Sequence, residues 1–406
     1  MCVTYTNLLT LRSARNARVS KHAKRRSDEG GACQVYDFSP PWRDSSVRAG
    51  VIVHDSGHIV AETARRIFAD LADPQVLNAA KDEAWKAPLW QALAEAGLTL
   101  AWVPEQHGGA GASLADGFAV IETAGRFAAP VPLVETLLAG WLLSRAGIVA
   151  PGSAMTVAPA RPADRITLDA DNKLSGRARG VPFADDAAHI AVLAHGAAGP
   201  SVTLVERGSC RLIEGANLAG DASNAVTFDG AMPVAIAAAP AGLDQAALMR
   251  IGAVARSVAT AGALAAILSL AVRYANDRVA FERPIAKFQA VQHNLARLAG
   301  EVAAAMTAAG SAADALAAAD VADDALFLEA ASAKIRCAEA ATEGASIAHQ
   351  VHGAIGFTKE HVLHRFTLRL LSWRDDFGNE SHWAAELGGR VAARGANDFW
   401  PLVASR

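Results

Sequence analysis

Apolar residues in this sequence follow two patterns, and the patterns alternate along the chain. Between about Asp55 and Ala150 the spacing is helical. Val60, Ala64, Ile67, Phe68 and Leu71 recur at i, i+4, i+7 and i+8, which gathers them on one helix face. A second helix is predicted near Glu83 to Ala96, with Gly97 placed to end it. A third starts at Ser113, where an N-cap serine and Asp116 three residues on make a capping-box-like pair. Pro130 and Pro132 break the connection that follows. From about Pro151 to Pro233 the pattern changes to short β-type runs, Arg165–Leu168, His189–Ala194, Val202–Val205 and Ala225–Phe228, separated by Gly, Pro, Asn and Asp. These predict a small antiparallel β domain. Helical spacing returns from about Leu243 to Arg394, in Ala-rich segments near Gln245–Phe281, Ile285–Ala318, Ala325–Gly353 and His361–Arg374. Alanine is the best helix former and its small side chain lets helices approach closely, so these segments predict an up-down four-helix bundle.

The expected fold is therefore mostly α with a central β domain. An N-terminal helical domain spans 55–150, a middle β domain 151–240 and a C-terminal helical bundle 241–406. Residues 1–54 stand apart. The first fifty hold nine basic and four acidic residues, a charge of +5 that leaves −8 on the rest. They read as a disordered extension, or as an over-long start with initiation near Val51.

Composition narrows the function classes. With 406 residues and 52% hydrophobic content the chain is globular, and a net charge of −3 excludes a general nucleic-acid binder. The four cysteines, at 2, 33, 210 and 337, have no metal-ligand spacing and suit a reducing cytoplasm. The longest uncharged run, Ser257 to Val272, has 16 residues. That is shorter than the ~18–20 of a membrane span, so the run is read as a buried core helix.

Two segments carry specific chemistry. The first runs Arg273-Tyr274-Ala275-Asn276-Asp277-Arg278-Val279-Ala280-Phe281-Glu282-Arg283-Pro284-Ile285-Ala286-Lys287-Phe288-Gln289, and the second Gln350-Val351-His352-Gly353-Ala354-Ile355-Gly356-Phe357. Both resemble signatures of the acyl-CoA dehydrogenase family of flavoenzymes. The first has Glu282 where the family pattern has Gly, and the second has Ala354 where it has a second Gly. Val103-Pro104-Glu105 with Gly108-Gly109-Ala110-Gly111 is similar to the family's N-terminal-domain loop. The resemblance covers about residues 55 to 395. It implies bound FAD and α,β-dehydrogenation of an acyl-CoA thioester to the trans-2-enoyl-CoA, with an electron-transfer flavoprotein as acceptor. It further implies cofactor contacts from Arg278, Phe281, Gln289, Gln350, Gly353 and Ala354. Arg278 offers a fork-shaped cation to a pyrophosphate. Gln350 offers donor and acceptor together, and Gly353 admits close backbone approach. Phe281 and Phe288 read as core or cofactor-side packing. In the family these groups reach the FAD of a neighbouring subunit, so a homo-oligomer, or a heteromer with a related chain, is implied.

The sequence departs from the family where the reaction needs a base. Taking the proton α to the thioester calls for a carboxylate with a raised pKa in a dry pocket. Counting from Phe357, the family's usual base position falls on Phe377, and the alternative near the start of the bundle's first helix falls on Gly252. Neither accepts a proton. Asp376 is the best substitute, followed by Glu380 and Asp375. The strand that in the family reads Glu-Pro-x-x-Gly-Ser-Asp is replaced by Met155-Thr156-Val157-Ala158-Pro159-Ala160-Arg161-Pro162. Such divergent chains resemble subunits of heteromeric bacterial members in which only one of two related chains carries the base. An active dehydrogenase, a half-site or non-catalytic subunit of a heteromer, and a flavin-dependent oxidase on the same scaffold are the competing expectations. No metal is expected: His349, His352, His361 and His364 read as surface or capped histidines. Asp314, Asp320, Asp323 and Asp324 read as a solvated face or helix ends.

Overall fold

The computed structural model describes residues 55–318 and 324–404. The basic segment 1–54, Asp320 and Asp323 lie outside the described residues. Five helices come first: α1 (Asp55–Leu71), α2 (Pro74–Ala79), α3 (Lys86–Glu95), α4 (Leu114–Phe127) and α5 (Leu133–Arg145). The apolar face of α1 meets α4, with the Phe68 ring stacked on Phe127 at 5.6 Å between centroids. The capping box forms: Ser113 Oγ accepts from the Asp116 N–H at 3.1 Å, and the Asp116 carboxylate accepts from the Ser113 N–H at 3.1 Å. The pattern of apolar positions does not reveal α5. Every residue from Leu133 to Leu143 is buried, so the helix has no polar face and no helical period.

The middle of the chain forms β1 (Met155–Ala158), β2 (Ile166–Leu168), β3 (Leu174–Pro182), β4 (His189–Gly196), β5 (Gly199–Glu206), β6 (Arg211–Ile213), β7 (Ser223–Ala231) and β8 (Ala235–Ala238). They make one sheet in the order β6-β7-β3-β2-β4-β5-β8, with β1 beside β4. The expected antiparallel domain is corrected here to a mixed sheet, because β1 and β2 both run parallel to β4. The chain reaches β4 from β1 only after passing through β2 and β3, and such a crossover joins parallel strands where a tight hairpin cannot. The four predicted runs correspond to β2, β4, β5 and β7. Gly and Arg dilute the β signal of β3, and β8 is built mainly from alanine.

The bundle contains α6 (Gln245–Asp277), a hairpin of β9 (Val279–Ala280) and β10 (Arg283–Pro284), then α7 (Gln289–Ala318), α8 (Asp324–His352), α9 (Leu363–Trp373), α10 (Glu380–Arg394) and α11 (Ala396–Ala404). Three helices are long and α9 is a shorter fourth. α6 is long and apolar enough to cross a membrane, but 89% of its most apolar window is buried inside the protein. It crosses α4 with backbones in contact. A Cβ at Gly125 would sit 2.1 Å from the Ala259 carbonyl oxygen, and one at Gly262 would sit 2.1 Å from that of Glu122. The sequence-predicted helix to Phe281 stops at Asp277, because Arg278 turns to extended backbone and starts the hairpin.

The two central residues of that hairpin turn, Phe281 and Glu282, have φ of 51° and 65°. A two-residue turn with both central residues left-handed favours Asn and Gly. Glu282 therefore holds a strained conformation at the position where the family pattern has glycine. Replacing it, Glu282→Gly, is expected to raise stability by about 1 kcal/mol. Urea unfolding reads this as a higher midpoint with an unchanged slope. An unchanged midpoint would mean the turn stores no strain.

Candidate functional site

The two positions to which the motif count assigns the family's base meet face to face. Gly252 lies in the first third of α6 and is buried. A Cβ built on it would be 2.3 Å from the ring of Phe377, which has no exposed surface. The Phe377 ring fills the space that any side chain at 252 would need. The loop carrying it is pinned on several sides. The Phe377 N–H donates to the Ala160 carbonyl at 3.2 Å, and its carbonyl accepts from Trp383 Nε1 at 3.1 Å. Lys334 Nζ, on α8, donates to the carbonyl of Trp373, the last residue of α9, at 2.7 Å.

Arg256, one turn beyond Gly252, holds the next residue of the loop. Its Nε donates to Asp376 Oδ2 at 2.7 Å, and its Nη2 donates to Glu135 Oε1 of α5. Arg256 and Glu135 are 3% and 1% exposed at their side chains, and Asp376 20%. Burial pushes the Glu135 carboxyl above its ordinary range, against the pull of Arg256. Burial also depresses the Lys334 ammonium to about 8, although Asp376 opposes this. Glu380 is ion-paired to Arg374. Its partial burial works to raise its pKa, but the bond and charge of Arg374 outweigh this and hold it below the usual carboxylate range. Two of the three substitute bases named from the sequence, Asp376 and Glu380, thus face an arginine, and the third, Asp375, is exposed. Glu135, Arg256 and Lys334 were missed there. The available signal was one acid, Glu135, inside the apolar run Leu133 to Leu143.

The cofactor-motif residues gather at the far end of α6. Arg278 follows the helix, roughly 40 Å from Gly252 at about 1.5 Å per residue. Arg278 and Gln289, the first residue of α7, are both exposed. Phe281 is 89% exposed at the hairpin tip, which rules out the core half of its reading as core or cofactor-side packing and leaves the cofactor-side half; it meets Phe288 only edge-on. Gln350, Gly353 and Ala354 line a cavity of about 600 Å³ with His349, Phe357 and Leu371. Tyr274 of α6 stacks on His352 at 4.5 Å, so both motifs share this end of the bundle. The histidine assignment also needs correction. His352 is 3% exposed and its ring lies tilted 4.7 Å from that of His361, and burial lowers its pKa to about 4.

These residues allow a test of fit to a dinucleotide. The motif end offers exposed donors and, at Gly353, a φ of 65° with open space above the backbone. That fits phosphates and a nucleoside. The base end does not fit a flavin ring. β1 is buried along its whole length, and its Thr156 hydroxyl is spent on the Pro182 carbonyl at 2.7 Å.

Two stability measurements follow. Glu135→Gln removes one partner of a buried guanidinium and is expected to cost about 3 kcal/mol, read by urea unfolding at pH 7. Asp376→Asn, at the more solvated partner, should cost less; the reverse order would show that Asp376, not Glu135, anchors Arg256. His352 stays neutral in the folded chain while the unfolded chain protonates near 6.5, so the unfolded state binds the extra proton. Stability should therefore fall as pH drops from 6.5 towards 4, and His352→Gln should flatten that slope. An identical slope in the variant would remove the histidine from the account.

Comparison with known proteins agrees with this layout. Residues 55–150 match the family model described as acyl-CoA dehydrogenase, N-terminal domain, and residues 243–375 match acyl-CoA dehydrogenase, C-terminal domain. The chain is similar to acyl-CoA dehydrogenase IpdE2 of Mycobacterium tuberculosis, with 29% identity over 77% of this chain and 89% of that one. Its fold is similar to a chain in the crystal structure of the ChsE4-ChsE5 complex from Mycobacterium tuberculosis. The TM-score is 0.76 at 23% identity, over 85% of this chain and 99% of the other. A variant of the Tcur3481-Tcur3483 steroid ACAD is also similar, with a TM-score of 0.73 at 28% identity over 83% and 98% of the two chains. With matched family domains on both sides of the sheet and the motif residues gathered at one end of the bundle, the chain belongs to the acyl-CoA dehydrogenase family, whose cofactor is FAD.

Proposed function

We propose that this chain is the half-site subunit of a heteromeric, FAD-dependent acyl-CoA dehydrogenase, and that a related chain supplies the carboxylate base. One observation carries the reading: Gly252 and Phe377, at the two positions to which the motif count assigns the base, pack against each other without room for a side chain at 252. Removing the α-proton of an acyl-CoA thioester needs an acid group of raised pKa open to substrate. Asp376 is committed to Arg256 and Glu380 to Arg374. Glu135 has the raised pKa but is sealed from solvent.

Bound FAD supplies the acceptor for the hydride that leaves the β carbon. The residues of this chain suited to that dinucleotide are Arg278, Phe281, Gln289, Gln350, Gly353 and Ala354. Arg278 would donate to the pyrophosphate, and Gln289 and Gln350 would donate to and accept from its polar edges. Phe281 would shield the nucleotide from water, while Gly353 and the small Ala354 keep the cavity floor open. Arg278 stands roughly 40 Å along α6 from the closed base loop, so this end of the bundle would serve a flavin whose reacting ring lies in the partner chain. The solved neighbour ChsE4-ChsE5 is a two-chain complex, and Tcur3481-Tcur3483 is a steroid ACAD. The second favours a bulky acyl group, and the first favours a two-chain enzyme. Its electrons would pass to an electron-transfer flavoprotein, in the cytoplasm.

The test is flavin content. The full chain expressed alone should purify without stoichiometric FAD and should fail to oxidise acyl-CoAs. Co-expression with a related acyl-CoA dehydrogenase chain that retains the base should yield a flavin-loaded complex that acyl-CoA bleaches anaerobically. A full complement of FAD and substrate bleaching by the chain alone would overturn the reading.

A further inference from the structure

We propose that Arg177, Thr227 and Arg211 form a phosphoanion-binding site on the outer face of the middle sheet. The strand register brings them together. Arg177 of β3 pairs directly with Thr227 of β7, and Arg211 of β6 pairs with the same Thr227 from its other side. Residues directly opposed across antiparallel strands point to one face, so the three side chains form a row. Val226 and Phe228, which alternate with Thr227 on β7, are buried in the core of the sheet. The row therefore faces away from that core. Strands lie about 4.8 Å apart, which sets the two arginine Cα atoms roughly 10 Å apart with the threonine between them.

The chemistry of the row is incomplete as it stands. Both arginines are exposed, and among the described residues neither guanidinium has a hydrogen-bond or ion-pair partner. Beneath them Thr227 Oγ1 is buried and without a partner. Buried polar atoms are rarely left so, and an anion between the two cations would give the hydroxyl a partner. A tetrahedral phosphoanion meets all three demands. Each guanidinium can donate a two-pronged contact to its oxygens, and the hydroxyl can donate a further bond. The surroundings keep the row positive. Arg179, two residues along β3 where its register with β7 shifts, donates to Asp164 from its backbone N–H at 2.6 Å and from Nε at 2.7 Å. Asp229, two residues beyond Thr227 on β7, pairs with Ser175 and marks the acidic end of the row. Three arginines thus face two carboxylates.

The site stands apart from the flavin-motif end and from the base loop, and it does not depend on the half-site reading. Its ligand is a phosphate or diphosphate group, either free in solution or carried on the nucleotide arm of a CoA thioester.

Isothermal titration of the full chain with inorganic pyrophosphate, CoA and dephospho-CoA tests the proposal and separates the sources. Arg177→Gln and Arg211→Gln should each weaken pyrophosphate binding by about tenfold or more, the loss of a charge-assisted contact. Thr227→Val should weaken it less, and all three variants should keep the wild-type circular dichroism. Tighter binding of CoA than of dephospho-CoA, lost in the arginine variants, would assign the site to the 3′-phosphate of the nucleotide arm. Equal binding of the two, lost in the same variants, would assign it to the diphosphate. The proposal is overturned if pyrophosphate and CoA do not bind at millimolar concentration, or if they bind equally well to the wild type and both arginine variants.

Discussion

Arg256 is a buried guanidinium, and the geometry of the base loop follows from what neutralises it. A charge this deep in the protein is tolerated only with close counter-charges and bonded donors. Glu135 supplies one carboxylate from the N-terminal helices and Asp376 the other from the loop after α9. That choice ties the N-terminal helical domain, and the loop after α9, to the middle of the bundle. It also fixes the loop one residue before Phe377, whose ring then lies over Gly252. Lys334 anchors the end of α9 just upstream, and Trp383 holds the Phe377 carbonyl just downstream. The place where a family member presents a base is, in this chain, part of the core.

The consequence runs the length of α6. One end carries the closed loop, and the other carries exposed donors, an open glycine backbone and an aromatic ring held out on a strained turn. Those outward-facing groups have little to do within the chain itself. Under the proposed reading, a flavin that spans two subunits would give them a ligand, and a partner retaining its base would give the complex its chemistry. Division of one reaction between two related chains is thus a physical reading of where the charges and rings are placed.

Much of this was legible in the sequence, for identifiable reasons. The domain order follows from the switch between helical and β-type spacing, and the start of α4 from Ser113 and Asp116. The absence of a base at Gly252 and Phe377 follows from counting within the motifs. That the two positions touch does not, because they lie far apart along the chain and meet only through tertiary packing. Helix α5 was invisible because it is buried on all sides, and with it Glu135, the partner that explains Arg256. The parallel pairing of β1 with β4 was likewise hidden, since periodicity reports which residues face inward and not which strand lies alongside. Phe281 reads from its chemistry as core or cofactor-side packing alike, and only the hairpin geometry shows it exposed.

The most direct measurement is stopped-flow bleaching of the flavin by acyl-CoA in the assembled two-chain enzyme, with this chain carrying Asp376→Asn and Glu380→Gln together. If the base belongs to the partner, the bleaching rate of the flavin-loaded variant stays within about threefold of wild type. If either acid is the base, that rate falls by about 10²–10⁴-fold with flavin still bound, the range expected for loss of a general base, and the account is contradicted.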